Sequence, residues 1–122
     1  MRVAVVGSRG LGDACYTVLC RHIPAGCSEI ISGGAVGIDA LAERYAAEAG
    51  LRLTVIRPDY HLFDRAAPLI RNGRIVREAD YVLILWDGVS RGTRHVIMTC
   101  LKTGKPYKLL LIQGSDPEEV AL

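Results

Sequence analysis

Ile31-Ser32-Gly33-Gly34-Ala35-Val36-Gly37-Ile38-Asp39 is a short β-branched run that ends in paired glycines and passes within a few residues into a helical pattern. Glycine at a strand-to-helix turn lets backbone amides come close to a ligand, and the helix that follows adds the positive end of its dipole. Together they make a natural anion site, above all for a phosphate. The plain alternative is a tight turn in which glycine only satisfies a positive φ. The sequence on either side decides between the two.

Downstream, Ile38, Leu41, Ala42, Tyr45 and Ala49 form an apolar helical stripe opposite Glu43, Arg44 and Glu48, ended by Gly50. Leu51 to Ile56 reads as a strand, closed by Arg57-Pro58-Asp59, and Tyr60 to Asp64 reads as an irregular aromatic loop. A helix interrupted by Gly73 covers Ala67 to Ala79. Tyr81 to Trp86 is a buried strand that runs into Asp87-Gly88-Val89-Ser90-Arg91-Gly92-Thr93, a second turn of the same character. Val96, Ile97, Cys100 and Leu101 give the next helix its inward face, Gly104 caps it, and Tyr107 to Ile112 is a last strand before a polar, acidic tail expected to fray. Upstream, Arg2 to Val6 is a continuous apolar strand entering Gly7-Ser8-Arg9-Gly10. A helix over Leu11 to His22 follows, with Leu11, Cys15, Val18 and Leu19 on one face, and then the strand Glu29 to Ser32.

Strand and helix therefore alternate about five times over short connections, the pattern of a parallel sheet covered by helices. In such sheets a ligand lies outside the carboxyl ends of the strands, at the point where the strand order reverses. All three glycine turns fall on that edge.

The composition is consistent with this fold and narrows the function classes. The 122 residues fit one domain, 50% of them hydrophobic and 23% charged, so the chain folds around a core. A net charge of +2 does not by itself point to nucleic acid or a membrane. No apolar run reaches the roughly 20 residues that span a bilayer. The opening Met1-Arg2-Val3-Ala4-Val5-Val6-Gly7 is a strand and not a secretory signal, which makes the cytoplasm the default location. Cys15, Cys20, Cys27 and Cys100 have no C-x-x-C spacing and no paired histidines, so no metal site is expected. Cys15 and Cys100 fall on apolar helix faces and read as core.

Each glycine turn carries residues that turning does not require: Gly7 with Ser8 and Arg9; Ser32, Gly33, Gly34, Ala35 and Gly37 with Asp39; Asp87, Gly88 and Gly92 with Ser90 and Thr93. Amides, hydroxyls and an arginine are all donors and suit a phosphate, while Asp39 suits a ribose hydroxyl or fixes its own loop. The spacing is not the dinucleotide fingerprint G-x-G-x-x-G, nor a G-x-x-x-x-G-K-[ST] loop. His95 is open between a general acid and a helix-cap partner, Tyr60 and His61 between base stacking and ordinary loop contacts, and Trp86 reads as core.

V-G-S-R in the first turn, S-G-G-A-x-G-I-D in the second, Arg71-Asn72, and D-G-x-S-x-G-T in the last resemble the SLOG superfamily. That superfamily takes in the Smf/DprA DNA-processing proteins and the Lonely Guy phosphoribohydrolases. The match is nearest to the small stand-alone YspA-like branch, whose function is unknown, and covers about Met1 to Ile112. The resemblance implies a Rossmann-like three-layer α/β/α sandwich with a mainly parallel five-stranded sheet over residues 1–112, followed by a tail over 113–122. It also implies binding of a nucleotide or nucleotide-derived small molecule, as a sensor or carrier and often as a homodimer, with no cofactor. Arg71 would then face a phosphate and Asn72 a base or ribose. Two departures limit it. Lonely Guy enzymes use G-G-x-G-T-x-x-E, but here Gly92-Thr93 is followed by Arg94, His95 and Val96, so the glutamate position is apolar. The nucleotide N-glycosidase alternative would need Asp39, Asp59 or Asp87 instead. The second alternative, a Smf/DprA-like module handling single-stranded DNA, is disfavoured by the near-neutral charge, so nucleic acid is not the expected partner.

Overall fold

The computed structural model describes residues 1–113 and 118–121. Its sheet has the order β3-β2-β1-β4-β5-β6. The strands are β1 (Arg2–Gly7), β2 (Glu29–Ser32), β3 (Arg52–Val55), β4 (Tyr81–Trp86), β5 (Tyr107–Gln113) and β6 (Glu118–Ala121). The first five are parallel, as the alternation of elements predicts. Because β1 pairs with β2 on one side and β4 on the other, the strand order reverses there, and the carboxyl ends of β1 and β4 frame the crevice.

The helices are α1 (Tyr16–His22), α2 (Ile38–Ala49), α3 (Tyr60–Phe63), α4 (Ala67–Glu78) and α5 (Arg91–Thr103). Period-two alternation along β1 assigns them to layers. Val3 and Val5 join one core with Leu19 of α1 and Ile38, Leu41 and Ala42 of α2. Ala4 and Val6 join the other with Ile75 and Val76 of α4 and Val96, Ile97 and Cys100 of α5. Both faces are covered, which is why Val3 to Val6 of β1 and Val82 to Leu85 of β4 are continuously apolar rather than alternating. The architecture is thus a Rossmann-like α/β sandwich.

Several local readings need correction. The helix expected over Leu11 to His22 begins as a 3-10 turn, Asp13–Cys15, and becomes α-helical only at Tyr16. Gly10 and Gly12 are poor helix formers, and Gly12 is extended. The expected loop at Tyr60 to Asp64 contains α3, a single turn whose Leu62 amide donates to the Asp59 carboxylate at 3.1 Å. A four-residue helix leaves no periodic signal. Gly73 does not interrupt α4, because buried Asn72, Ile75 and Val76 hold that helix through it. Ala49 and Leu101 lie outside the stripes assigned to them: Ala49 is exposed and Leu101 is 57% exposed. Thr93, Val96, Ile97 and Cys100 make the true inward face of α5.

The tail does not fray throughout. Residues 118–121 pair antiparallel with β5, covering an edge that would otherwise present unpaired backbone groups. Residues 114–117 and 122 lie outside the described residues. No helix among the described residues is long and apolar enough to cross a membrane.

One glycine sets how the first two turns meet. Gly37 has φ +76°, and a Cβ there would come within 2.6 Å of the Arg9 carbonyl oxygen and 2.7 Å of that of Ser8. A Cβ on Gly10 would meet nothing within 4 Å. Gly37→Ala is therefore expected to destabilise the protein by about 1–3 kcal/mol, through backbone strain and forced separation of the turns. Gly10→Ala should fall within about 0.5 kcal/mol of wild type. Urea unfolding of both variants checks the contrast, and equal stability would refute the close-approach argument.

Candidate functional site

The polar residues buried among the described residues are Ser8, Ser32, Asp39, Asn72 and Thr93. All five belong to the residues read from sequence as ligand-facing, and all lie at the carboxyl edge of the sheet. Buried polar groups require partners, and tracing those partners shows how the site is built.

The first and last turns are joined through Ser8. Its amide donates to the Leu85 carbonyl at 3.1 Å, its hydroxyl accepts from the Asp87 amide at 3.0 Å, and its Oγ lies 2.8 Å from Ser90 Oγ. Asp87 Oδ1 accepts the amides of Val89 at 2.9 Å and Ser90 at 2.8 Å. Desolvation pushes the Asp87 carboxyl upward, but the two amides and the hydroxyls of Ser8 and Ser90 outweigh it and hold it below the usual carboxylate value.

The opening turn is braced from several sides. Ser32 Oγ accepts the Gly34 amide at 3.1 Å, and Asp39 Oδ2 accepts the Ala35 amide at 3.2 Å. Arg71 Nη1 donates to the Gly33 carbonyl at 2.6 Å, and Arg57 Nη1 donates to that of Gly34 at 3.1 Å. A Cβ on Gly33 would lie 2.8 Å from both Arg71 Nη1 and Asp39 Oδ2, so a larger residue there would displace the two side chains that brace the loop. Arg71 Nε also donates to Asn72 Oδ1 at 3.0 Å, while Asn72 Nδ2 reaches the Gly92 carbonyl at 3.4 Å and His95 Nδ1 at 3.3 Å. One polar chain thus runs from α5 through α4 to the loop after β2.

Two adjoining cavities open over these turns. The larger, about 320 Å³, is lined by Gly7, Ser8, Arg9, Gly33, Ala35, Asp39, Arg71, Asn72, Asp87, Ser90, Gly92 and Thr93 of the sequence-read set, with Val6, Pro68, Leu69, Ile75 and Val96 as apolar wall. The second, about 270 Å³, shares Arg9, Gly33, Ala35 and Arg71 and adds Gly34, Arg57, Pro58 and Tyr60. Ser32, Gly37 and Gly88 line neither cavity: Ser32 supports the loop from behind, Gly37 packs it on the first turn, and Gly88 takes φ +86° in the last. Arg57 was legible only as the close of a strand. The signal that could have found it is its position at the carboxyl end of β3, on the edge shared with the three turns.

The bonds also correct how an anion would be held. The amides of Gly34, Ala35 and Ser90 are already taken by Ser32, Asp39 and Asp87. Donors that remain at the larger cavity include the first-turn amides of α5 at Gly92 and Thr93, which have no intrahelical acceptor, and the arginines. Burial lowers the Arg71 guanidinium from its usual value, Asp39 opposes that shift and the Arg9 charge adds to it. Burial likewise raises the Asp39 carboxyl, against the Ala35 amide and the charge of Arg71, with Glu43 adding to the rise and Arg9 opposing it. Asp39 thus carries the loop brace, the second of its two sequence readings.

The three carboxylates named as substitutes for the missing glutamate all hold turns: Asp39 on Ala35, Asp59 on Leu62 and Asp87 on Val89 and Ser90. Val96, at the glutamate position, is 2% exposed in the core. His95 contacts Asn72, and Trp86 Nε1 donates to the Ser90 carbonyl at 3.0 Å while packing on the α4–α5 core. All four cysteines are free, Cys15 and Cys100 buried as expected, with burial raising the Cys100 thiol to about 11 against the opposing charge of Lys105. No group of three or more His, Cys, Asp or Glu among the described residues is placed to hold a metal.

Comparison with known proteins gives three findings. The model of the YspA, cpYpsA-related SLOG family matches residues 1–63, from β1 through α3, and so includes the first two turns. A solved structure of DNA processing protein A from Helicobacter pylori, described for its single-stranded DNA binding mode, is similar with a TM-score of 0.73 and 19% identity, over 97% of this chain and 68% of that one. Among curated proteins no sequence matches.

Because the folded Asp87 value is lowered, its contribution to stability is present above its ordinary value of 3.8 and lost as the pH falls through the folded one. Asp87→Asn should remove that acid step from a plot of Tm against pH while leaving the plot's shape above pH 5 unchanged. An unaltered acid limb would show that the Ser8–Asp87–Ser90 cluster does not hold the carboxylate charged.

Proposed function

The chain belongs to the YspA, cpYpsA-related SLOG family, and on that premise we propose that it binds a nucleotide or nucleotide-derived small molecule in the groove over β1, β2 and β4, as a sensor or carrier. The observation that carries the reading is the meeting of Arg9 and Arg71 with the first turn of α5 at one cavity whose far wall is apolar. Phosphate lies against the two guanidinium groups and the amides of Gly92 and Thr93, where charge-assisted bonds and the helix dipole act together. The base lies along Pro68, Leu69, Ile75 and Val96. A volume of about 320 Å³ suits a mononucleotide-sized ligand. Asn72 and Ser8 supply the polar contacts that fix orientation.

Binding without turnover is favoured over N-glycosidase chemistry, because each nearby carboxylate is committed to a turn. The four unpaired thiols favour a reducing compartment such as the cytoplasm. Met98 at 55% and Leu101 at 57% exposure on α5 favour a homodimer, which light scattering tests. The similarity to a single-stranded DNA-binding protein supports a second reading, in which the same arginines meet an internucleotide phosphate.

A panel of nucleoside monophosphates at millimolar concentration is expected to raise the Tm, with stabilisation of about 2.7 kcal/mol at a hundredfold excess over Kd. Arg71→Ala should abolish the shift, and chromatography should find no released base. No shift with any nucleotide sinks the proposal. Anisotropy of a labelled single-stranded oligonucleotide at physiological salt separates the second reading: oligonucleotide binding without a mononucleotide shift would transfer the groove to DNA.

A further inference from the structure

The two cavities share their arginines and differ in their outer walls. Arg9 and Arg71 line both, so they stand at the junction rather than at the end of either lobe. Beyond the junction, one lobe is walled by apolar side chains of α4 and α5, and the other by Arg57, Pro58 and the ring of Tyr60. A ligand that fills both therefore has its negative charge in the middle and an organic group on each side. A mononucleotide, charged at one end, fills only one lobe.

We propose that the groove is built for a pyrophosphate-bridged compound, a nucleoside in the larger lobe and a second ring-bearing group on Tyr60 in the smaller. The proposal rests on the nucleotide reading of the larger lobe and extends it. Arg9 and Arg71 stand at the junction, and a third arginine, Arg57, lines the smaller lobe beside Gly33, Gly34 and Ala35. Two of them are held in place by consecutive carbonyls, Arg71 on Gly33 at 2.6 Å and Arg57 on Gly34 at 3.1 Å. A guanidinium carries five N–H donors, so these bonds aim each group without exhausting it. The Arg9 charge acts unfavourably on Arg71, and Asp39, the carboxylate acting on both, is itself buried and bound to the Ala35 amide. A dianion at the junction relieves that repulsion more fully than a single phosphodiester charge. Tyr60 is 57% exposed at the start of α3, a position where an aromatic ring has no core to fill and offers a face for stacking. The Asp59 cap fixes the turn that carries it.

Calorimetric titration of the full chain with three probes tests this: AMP, the pyrophosphate-linked diadenosine, and the phosphodiester ApA. The diadenosine pyrophosphate is expected to bind at least about tenfold tighter than AMP, and ApA no tighter than AMP. Tyr60→Ala and Arg57→Gln, each checked for an unchanged circular dichroism spectrum, are expected to remove the advantage and leave AMP affinity within about twofold. AMP binding with no pyrophosphate advantage overturns this proposal and leaves the nucleotide reading standing. Equal loss of both ligands in the variants, or ApA binding as tightly as the pyrophosphate, also overturns it. Failure of all three probes overturns both readings.

Discussion

Everything at the functional edge depends on β1 being hydrogen-bonded on both sides. Because β2 takes one flank and β4 the other, the loops leaving these three strands must diverge above β1, and a crevice opens between them. A central strand cannot show polar side chains on either face, which explains the unbroken apolar run from Val3 to Val6. Polarity returns only where the strand ends, at Ser8, whose amide still follows the β4 register by bonding to Leu85. The first polar side chain after the sheet is therefore already placed in the crevice by the strand pairing.

From there the loops hold one another rather than resting on the core. Ser8 binds the turn after β4, Gly37 lies against the backbone of Ser8 and Arg9, and Arg71 reaches from α4 to the carbonyl of Gly33. These contacts join segments far apart in sequence, so the site forms only when both halves of the sheet are assembled. They also explain why the buried polar residues gather here. In a low-dielectric setting such groups persist only when their partners are built in, and Ser8, Ser32, Asp39 and Asn72 each have them.

Much of this was legible in the residues. The parallel sheet and the shared edge of the three turns follow from strand–helix alternation and glycine placement, and the ligand-facing set read from the sequence includes every buried polar residue described. What was not legible has physical causes. A single capped turn such as α3 has no period to detect, and Gly73 suggested an interruption that the packing of α4 on α5 prevents. Glu118 and Glu119 suggested a solvated tail, but backbone pairing with the open edge of β5 places them in a strand. The subtlest miss was hydrogen-bond accounting. Glycine-rich turns suggest free amides, but Ser32, Asp39 and Asp87 take those of Gly34, Ala35 and Ser90 for themselves.

That self-satisfaction has a thermodynamic consequence. A loop whose donors wait for a ligand has to be ordered by it, and the ordering entropy is subtracted from the affinity. Here the loop after β2 is fixed from within by two side chains and from outside by two arginines. Its conformational freedom is spent during folding, not during recognition. A ligand entering the groove would therefore demand little backbone rearrangement of this loop, and any discrimination would fall to the spacing of charges on a surface already set.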